Sequence, residues 1–290
     1  MTATRRPATA SAQSAATASA QSAAMASAQP VIMSRQRGGG LHRADRVSGD
    51  RVSLRNAPMI LMYHGVGDVR EDPNHLFVTP DRFAEQMTWL ARRGLRGVSV
   101  AALLDAMRAG EQRGLVGITF DDGYASVLAA LPELQRHAFT ASFYIISTRL
   151  GGTNEWDDGP SWPLLSAGGV TELSTAGMEV GSHGATHVRL AGLSASQLET
   201  EIVLSRAVLA SLISAPVRGF AYPYGSMDAA ARRAVRAAGY EYACAVDTPA
   251  SQLGLMALPR VYVGQQDSAA RFAVKRRLYK GYIAVRGKRS

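Results

Sequence analysis

Two adjacent carboxylates end the apolar run Val116-Gly117-Ile118-Thr119-Phe120, giving Asp121-Asp122-Gly123. Neighbouring carboxylates in a confined site repel each other, and their pKa values are pushed apart unless a cation lies between them. Read alone, they are better accounted for as an Asp-Gly turn with solvated side chains. Farther along, Gly181-Ser182-His183-Gly184-Ala185-Thr186-His187 sets two histidines four residues apart. One helical turn or a tight loop then aims both imidazoles at one ion. With one carboxylate they make a two-histidine, one-carboxylate site with open positions for water and substrate. As isolated histidines they serve equally as surface or core residues. The likeness to a zincin protease helix is superficial, because that motif needs Glu directly after the first histidine and this chain has Gly184. The single cysteine, Cys244, allows no internal disulfide and no thiolate cluster, so a metal here must be held by His and carboxylate.

These residues need elements to carry them. Met59–Tyr63 reads as a buried strand ending at His64, and Val116–Phe120 as another ending at the carboxylates. Further strands are expected near Gly97–Val100, at Ala141–Ile146, Met178–Ser182, Arg218–Tyr222 and, as the last clear one, Glu241–Val246. Between them lie helices: one opened by Thr79-Pro80 and closed by Gly94, one over Ala101–Ala109, and one over Tyr124–His137 broken at Pro132. A long helix begins in the capping box of Ser194 and Gln197, and Ser226–Ala238 forms another. Strand and helix alternating at this spacing predict a parallel sheet closed, or nearly closed, into a barrel. His64, Asp121, Asp122, His183 and Tyr222-Pro223-Tyr224-Gly225 all fall at C-terminal strand ends, which share one face in such a barrel. The stretch 149–177 is a long excursion in which Glu155, Trp156, Asp157, Asp158 and Trp162 either line a sugar site or pack as a surface loop.

Composition bounds the rest. The chain has 290 residues, is 47% hydrophobic and has no apolar run of transmembrane length. Its net charge of +9 sits at the ends: residues 1–58 carry eight Arg against two Asp, and residues 271–290 carry eight Lys or Arg and no acid. The intervening sequence is net negative, which argues against nucleic acid and suggests contact of the basic ends with an anionic membrane, or simply solvated tails. The first thirty residues repeat with a period of eight, Ser11/Ser19/Ser27 and Gln13/Gln21/Gln29 falling in register. Such Ala/Ser/Gln sequence reads as disordered and lacks the continuous apolar stretch of a secretory signal. The expected organisation is therefore an arm over 1–57, a folded domain over 58–270 and a basic tail over 271–290. A cytoplasmic location is expected, peripheral at the inner membrane face.

Thr119-Phe120-Asp121-Asp122-Gly123, His183-Gly-Ala-Thr-His187 and Arg218-Gly-Phe-Ala-Tyr-Pro-Tyr-Gly225 together resemble the polysaccharide deacetylase family, the NodB-homology or carbohydrate esterase 4 group. The likeness runs over about residues 59–262, and Tyr63-His64 resembles a pattern of the poly-N-acetylglucosamine deacetylases. The resemblance implies an irregular (β/α)7 barrel. It further implies a divalent metal, commonly Zn2+ with Co2+ or Ni2+ as alternatives, on Asp122, His183 and His187. Asp121 would be the general base, Arg218 would orient or charge-balance it, and the Tyr222 backbone N–H would help stabilise the oxyanion. Two departures stand out. No histidine follows His187, so the general acid of a late Leu-x-His is replaced by Leu258-Pro259-Arg260, and the acid role falls to His64. Gly184 replaces the usual Ser or Thr and is expected to loosen the histidine loop. The implied reaction is removal of N-acetyl groups from an N-acetylated carbohydrate. The alternatives are hydrolysis of a non-sugar amide or ester on the same scaffold, and a catalytically silent carbohydrate-binding relative.

Overall fold

The structure is a computed structural model that describes residues 58–246 and 253–286, with side chains to Tyr279. The low-complexity arm expected over 1–57 lies outside the described residues. β1 (Ile60–Tyr63) is a run of buried apolar residues, followed by β2 (Gly65–Val66) and β3 (Phe77–Val78), which pair with each other outside the main sheet. α1 (Pro80–Arg92) starts where its sequence dictates: Thr79 Oγ1 accepts the Arg82 N–H, and Pro80 occupies the first turn, where no N–H is needed. β4 (Arg96–Val98), α2 (Val100–Ala109) and β5 (Leu115–Phe120) come next. The segment before His137 is broken, as Pro132 requires, into a 3₁₀ stretch and α3 (Leu131–Arg136). β6 (Ser142–Ile145), α4 (Ala167–Thr175) and β7 (Glu179–Ser182) lead to one long helical segment. That segment is α5 (Ala195–Glu199), a π turn over Thr200–Leu204, and α6 (Ser205–Ile213), with the Ser194/Gln197 capping box at its start. β8 (Gly219–Ala221), α7 (Ala229–Ala237) and β9 (Tyr242–Ala245) complete the regular alternation.

The sheet does not end at β9. β10 (Leu258–Pro259) pairs with β9, β11 (Val261–Tyr262) pairs with β1, and Arg260 alone separates the two short strands. Every pairing is parallel, in the order β10-β9-β8-β7-β6-β5-β1-β11, with β4 beside β5. The ring therefore closes through residues 258–262. Counted as one interrupted stave, these residues make the seventh of an irregular (β/α)7 barrel. Two-residue strands carry too little alternation to be read from sequence.

Inside the ring stand the buried rings of Tyr144 and Tyr242, and glycine admits them. A Cβ at Gly181 would fall 2.5 Å from Tyr144 Cδ1, and one at Gly219 would collide with the Tyr242 phenol. Tyr144 Oη–H donates to Tyr242 Oη at 3.1 Å, whose own hydroxyl donates to Glu179 Oε1 at 2.7 Å. This filled interior fixes the strands so that their C-terminal ends present one rigid face.

α8 (Ala269–Arg286) corrects the expected domain boundary at residue 270. Phe272 is 1% exposed and meets Trp89 of α1 edge-on at 5.5 Å, and Tyr279 is buried as well. The segment expected as a free basic tail is thus packed against the domain as far as Tyr279.

Candidate active site

The turn after β5 delivers Asp121 and Asp122 to a cleft of about 450 Å3 on the C-terminal face. Asp122 adopts φ 68° and His187 φ 69°, left-handed values that cost residues other than glycine about 1–3 kcal/mol and persist only when the surroundings impose them. Asp122 Oδ1 lies 3.2 Å from His183 Nε2 and 3.3 Å from His187 Nε2, and all three residues are buried. Their donor atoms lie within 4.8 Å of one another, a set that fits one divalent cation. His183 Nδ1 lies 2.8 Å from the Ala221 carbonyl, which only accepts, so Nδ1 carries the proton and Nε2 is left as the lone-pair donor. Among the described residues buried His187 Nδ1 has no partner, which leaves that ring dependent on what its Nε2 meets. Burial works to raise the Asp122 carboxyl, but the two imidazoles outweigh it and hold it well below the usual carboxylate value.

Asp121 is held differently. Arg260 Nη1–H and Nη2–H donate to its Oδ1 and Oδ2 at 2.6 and 2.7 Å, a bidentate pair with both side chains buried. Burial again works to raise this carboxyl, and the Arg260 guanidinium overcomes it, keeping Asp121 below the usual carboxylate value and ionised at neutral pH. Arg218 was the residue expected there, and the structure corrects this. Arg218 precedes β8 at the opposite end of the barrel, where its guanidinium grips Asp105 and Glu241 at 2.8–2.9 Å. Residues at the N-terminal and C-terminal ends of parallel strands lie on opposite faces, so Arg218 has no path to Asp121. The signal for Arg260 was its place where the late histidine motif falls.

Tyr222 is also corrected. Its backbone N–H donates to the Cys244 carbonyl at 3.1 Å within the sheet and is already committed. Pro223–Gly225 then form a 3₁₀ turn, and Pro223 has no N–H. Tyr224, at φ 56°, supplies the first N–H of that turn without an internal acceptor. His64 lines the cleft with Met62, Leu76 and Asn74. Burial pushes its pKa down, against the opposing charges of Asp122 and Asp121, so at rest it is a neutral imidazole.

The excursion divides its residues between site and scaffold. Trp156 and Tyr224 flank the His187 ring, each with 4.6 Å between centroids, and Arg189 lies over Tyr224 at 4.2 Å. Asp157 accepts the Tyr224 hydroxyl at 2.9 Å and, with Asp158, lines the cleft. Trp162 packs against Phe77 instead, and Glu155 pairs with Arg149 on the surface. Gly184 does not loosen the histidine loop. At φ 82° it takes a conformation natural to glycine, its carbonyl accepts Ser205 Oγ–H at 2.9 Å, and its N–H donates to Ser182 Oγ at 3.2 Å.

Comparison with known proteins places this geometry. The family model described as polysaccharide deacetylase matches residues 109–243. The chain is 26% identical over 218 residues to YxkH of Bacillus subtilis (strain 168), a protein named for polysaccharide deacetylase, covering 73% of this chain and 74% of that one. It is 33% identical over 89 residues to the poly-beta-1,6-N-acetyl-D-glucosamine N-deacetylase of Escherichia coli (strain K12), 30% of this chain but only 13% of that protein. The structure of IcaB from Ammonifex degensii superposes with a TM-score of 0.63 at 25% identity, over 76% of this chain and 96% of that one.

The Arg260–Asp121 pair predicts a pH effect with a definite sign. Arg260→Gln removes the strongest opposition to burial and leaves only His183 and His64 against it, so the Asp121 pKa rises and the acid limb of the kcat/KM profile moves up by about 1–3 units. Losing one partner of a buried pair costs about 3–5 kcal/mol, so the profile is recorded where circular dichroism shows the variant folded. An unmoved acid limb in folded Arg260→Gln contradicts the role given to the pair.

Proposed function

The chain belongs to the polysaccharide deacetylase family, in the NodB-homology or carbohydrate esterase 4 group, and from that premise we propose that it removes N-acetyl groups from an N-acetylated sugar by metal-dependent hydrolysis. The observation that carries this reading is the buried Asp122-His183-His187 set beside an ionised Asp121 in one cleft. Asp122, His183 and His187 would hold a divalent cation, zinc first among the candidates with cobalt or nickel as alternatives, which would supply acidification of the water and polarisation of the amide carbonyl. Asp121, fixed in orientation by Arg260, accepts the proton of the attacking water. The Tyr224 N–H is the backbone donor best placed in the turn to meet the developing oxyanion. His64 serves as the acid for the departing amine. It is neutral at rest, and in the cycle it takes up the proton that Asp121 has accepted from water and passes it to the amine, the charges of Asp121 and Asp122 favouring the protonated form.

Tyr224 gives the cleft an aromatic side, Trp156 backs the His187 ring from the adjoining depression, and Asp157 and Asp158 give the cleft acceptors for hydroxyl groups. That combination favours a sugar over a small non-sugar amide. The local similarity to the Escherichia coli enzyme makes β-1,6-linked N-acetylglucosamine oligomers the first substrates to test. Incubated with metal-loaded protein, they should release acetate and free amine in equal amounts. His64→Phe should keep fold and metal yet lose about 10²–10⁴ in turnover. Acetate from small amides but from no oligosaccharide would favour the non-sugar reading, and no acetate from any substrate would contradict hydrolysis.

We propose a peripheral role for α8 as well. Val274 and Leu278 are 56% and 65% exposed, and they share a helix face with Arg271 at spacings of three and four residues. An apolar stripe beside basic residues suits an anionic membrane surface. Among the described residues no helix is long and apolar enough to cross a membrane. Removing the helix would also remove Phe272, so point variants are the cleaner probe. Val274→Asp combined with Leu278→Asp should abolish co-sedimentation with phosphatidylglycerol vesicles while leaving turnover in solution unchanged. Equal sedimentation of variant and parent would dismiss the membrane role.

A further inference from the structure

Glu201 plays no part in the chemistry above, yet it is 5% exposed and its carboxylate is aimed at the histidine loop. Oε2 accepts the Ala185 N–H at 2.9 Å and the Thr186 N–H at 3.0 Å, while Oε1 accepts the Thr186 hydroxyl. Among the described residues it forms no ion pair. A buried carboxylate without a cation is tolerated only when donors surround it, and here consecutive backbone N–H groups between His183 and His187 supply them.

The surrounding chain is shaped to this contact. A Cβ at Gly184 would lie 3.0 Å from Glu201 Oε2, tighter than ordinary packing, so glycine there accommodates the carboxylate as well as the left-handed backbone. One turn along the helix, Ser205 Oγ–H donates to the Gly184 carbonyl at 2.9 Å, and its hydroxyl also lies 2.5 Å from Ser182 Oγ. Glu201 and Ser205 thus grip the loop from one helical face at both ends of its turn. Glu201 enters from the π turn Thr200–Leu204, a rare local geometry that recurs at functional positions.

We propose that Glu201 is the positioning residue of the histidine loop: it holds Gly184–Thr186 so that the imidazoles of His183 and His187 converge on Asp122 before any cation arrives. The part of this concerning cation affinity rests on the proposed metal site; the part concerning the loop stands without it. Both parts are read on the full chain stripped of metal with a chelator. Amide hydrogen exchange followed by NMR should show Ala185 and Thr186 exchanging about 10–100-fold faster in Glu201→Ala, with β6 amides unchanged. Cobalt titration of the same samples should show affinity about 10–100-fold weaker in Glu201→Ala, and partly restored in Glu201→Gln, which keeps the shape and one acceptor. If Glu201→Ala does not fold, Glu201→Gln provides both readouts with smaller changes of the same sign. Unchanged protection of Ala185 and Thr186 overturns the proposal, as does lost protection with full cobalt affinity. Absence of cobalt binding in the parent protein would instead overturn the metal site, while the exchange data would still decide what holds the loop.

Discussion

The site depends on a buried guanidinium meeting a buried carboxylate. Arg260 and Asp121 are both almost fully removed from solvent, and two charges so placed are tolerated only with near-ideal geometry. The bidentate contact at 2.6 and 2.7 Å supplies it. Arg260 reaches that position because it is the single residue between β10 and β11, the point at which the barrel closes. Closure of the fold and ionisation of the proposed base are therefore one structural event. Tyr144 lies beneath the guanidinium at 5.6 Å and joins the pair to the polar column that ends at Glu179.

Around this pair the structure holds backbone conformations that would relax elsewhere. Asp122, His187 and Tyr224 all take left-handed φ values, and all three border one cleft. Each is held by contacts from a different part of the chain: imidazoles on Asp122, the Glu201-gripped loop before His187, and the Asp157 acceptor on Tyr224. Strain gathered at converging donors is a mark of pre-organisation, because the cost has been met before a ligand binds. The aromatic rings against His187 further limit how far that imidazole can swing.

Much of this was legible in the sequence where the signal is local. The buried strands before His64 and Asp121 were visible as apolar runs, and the caps at Thr79 and Ser194 as short-range patterns. That His183 and the two carboxylates share one face followed from their places at strand ends, whereas the choice of Asp122 with both histidines came from the family resemblance. What stayed hidden depends on register and direction. Arg218 belongs to the same segment as the Pro223–Gly225 turn but sits at the other end of β8, and only the three-residue length of that strand reveals the separation. The Tyr222 N–H is spent on the Cys244 carbonyl because of sheet pairing, which no local pattern specifies. Arg260 acts from between strands of two residues each, too short to show periodicity. The packing of α8 hinges on Phe272 meeting Trp89 from far along the chain, while the surrounding run of basic residues suggested a tail.

We propose that Asp122, His183 and His187 hold one divalent cation beside Asp121. Anomalous X-ray diffraction at the zinc absorption edge, on crystals of the protein titrated with zinc, tests it most directly. The structure predicts one equivalent of zinc per chain, with a single anomalous peak bonded to Asp122, His183 and His187. No stoichiometric uptake, or a peak elsewhere with these three side chains still packed against one another, would contradict it.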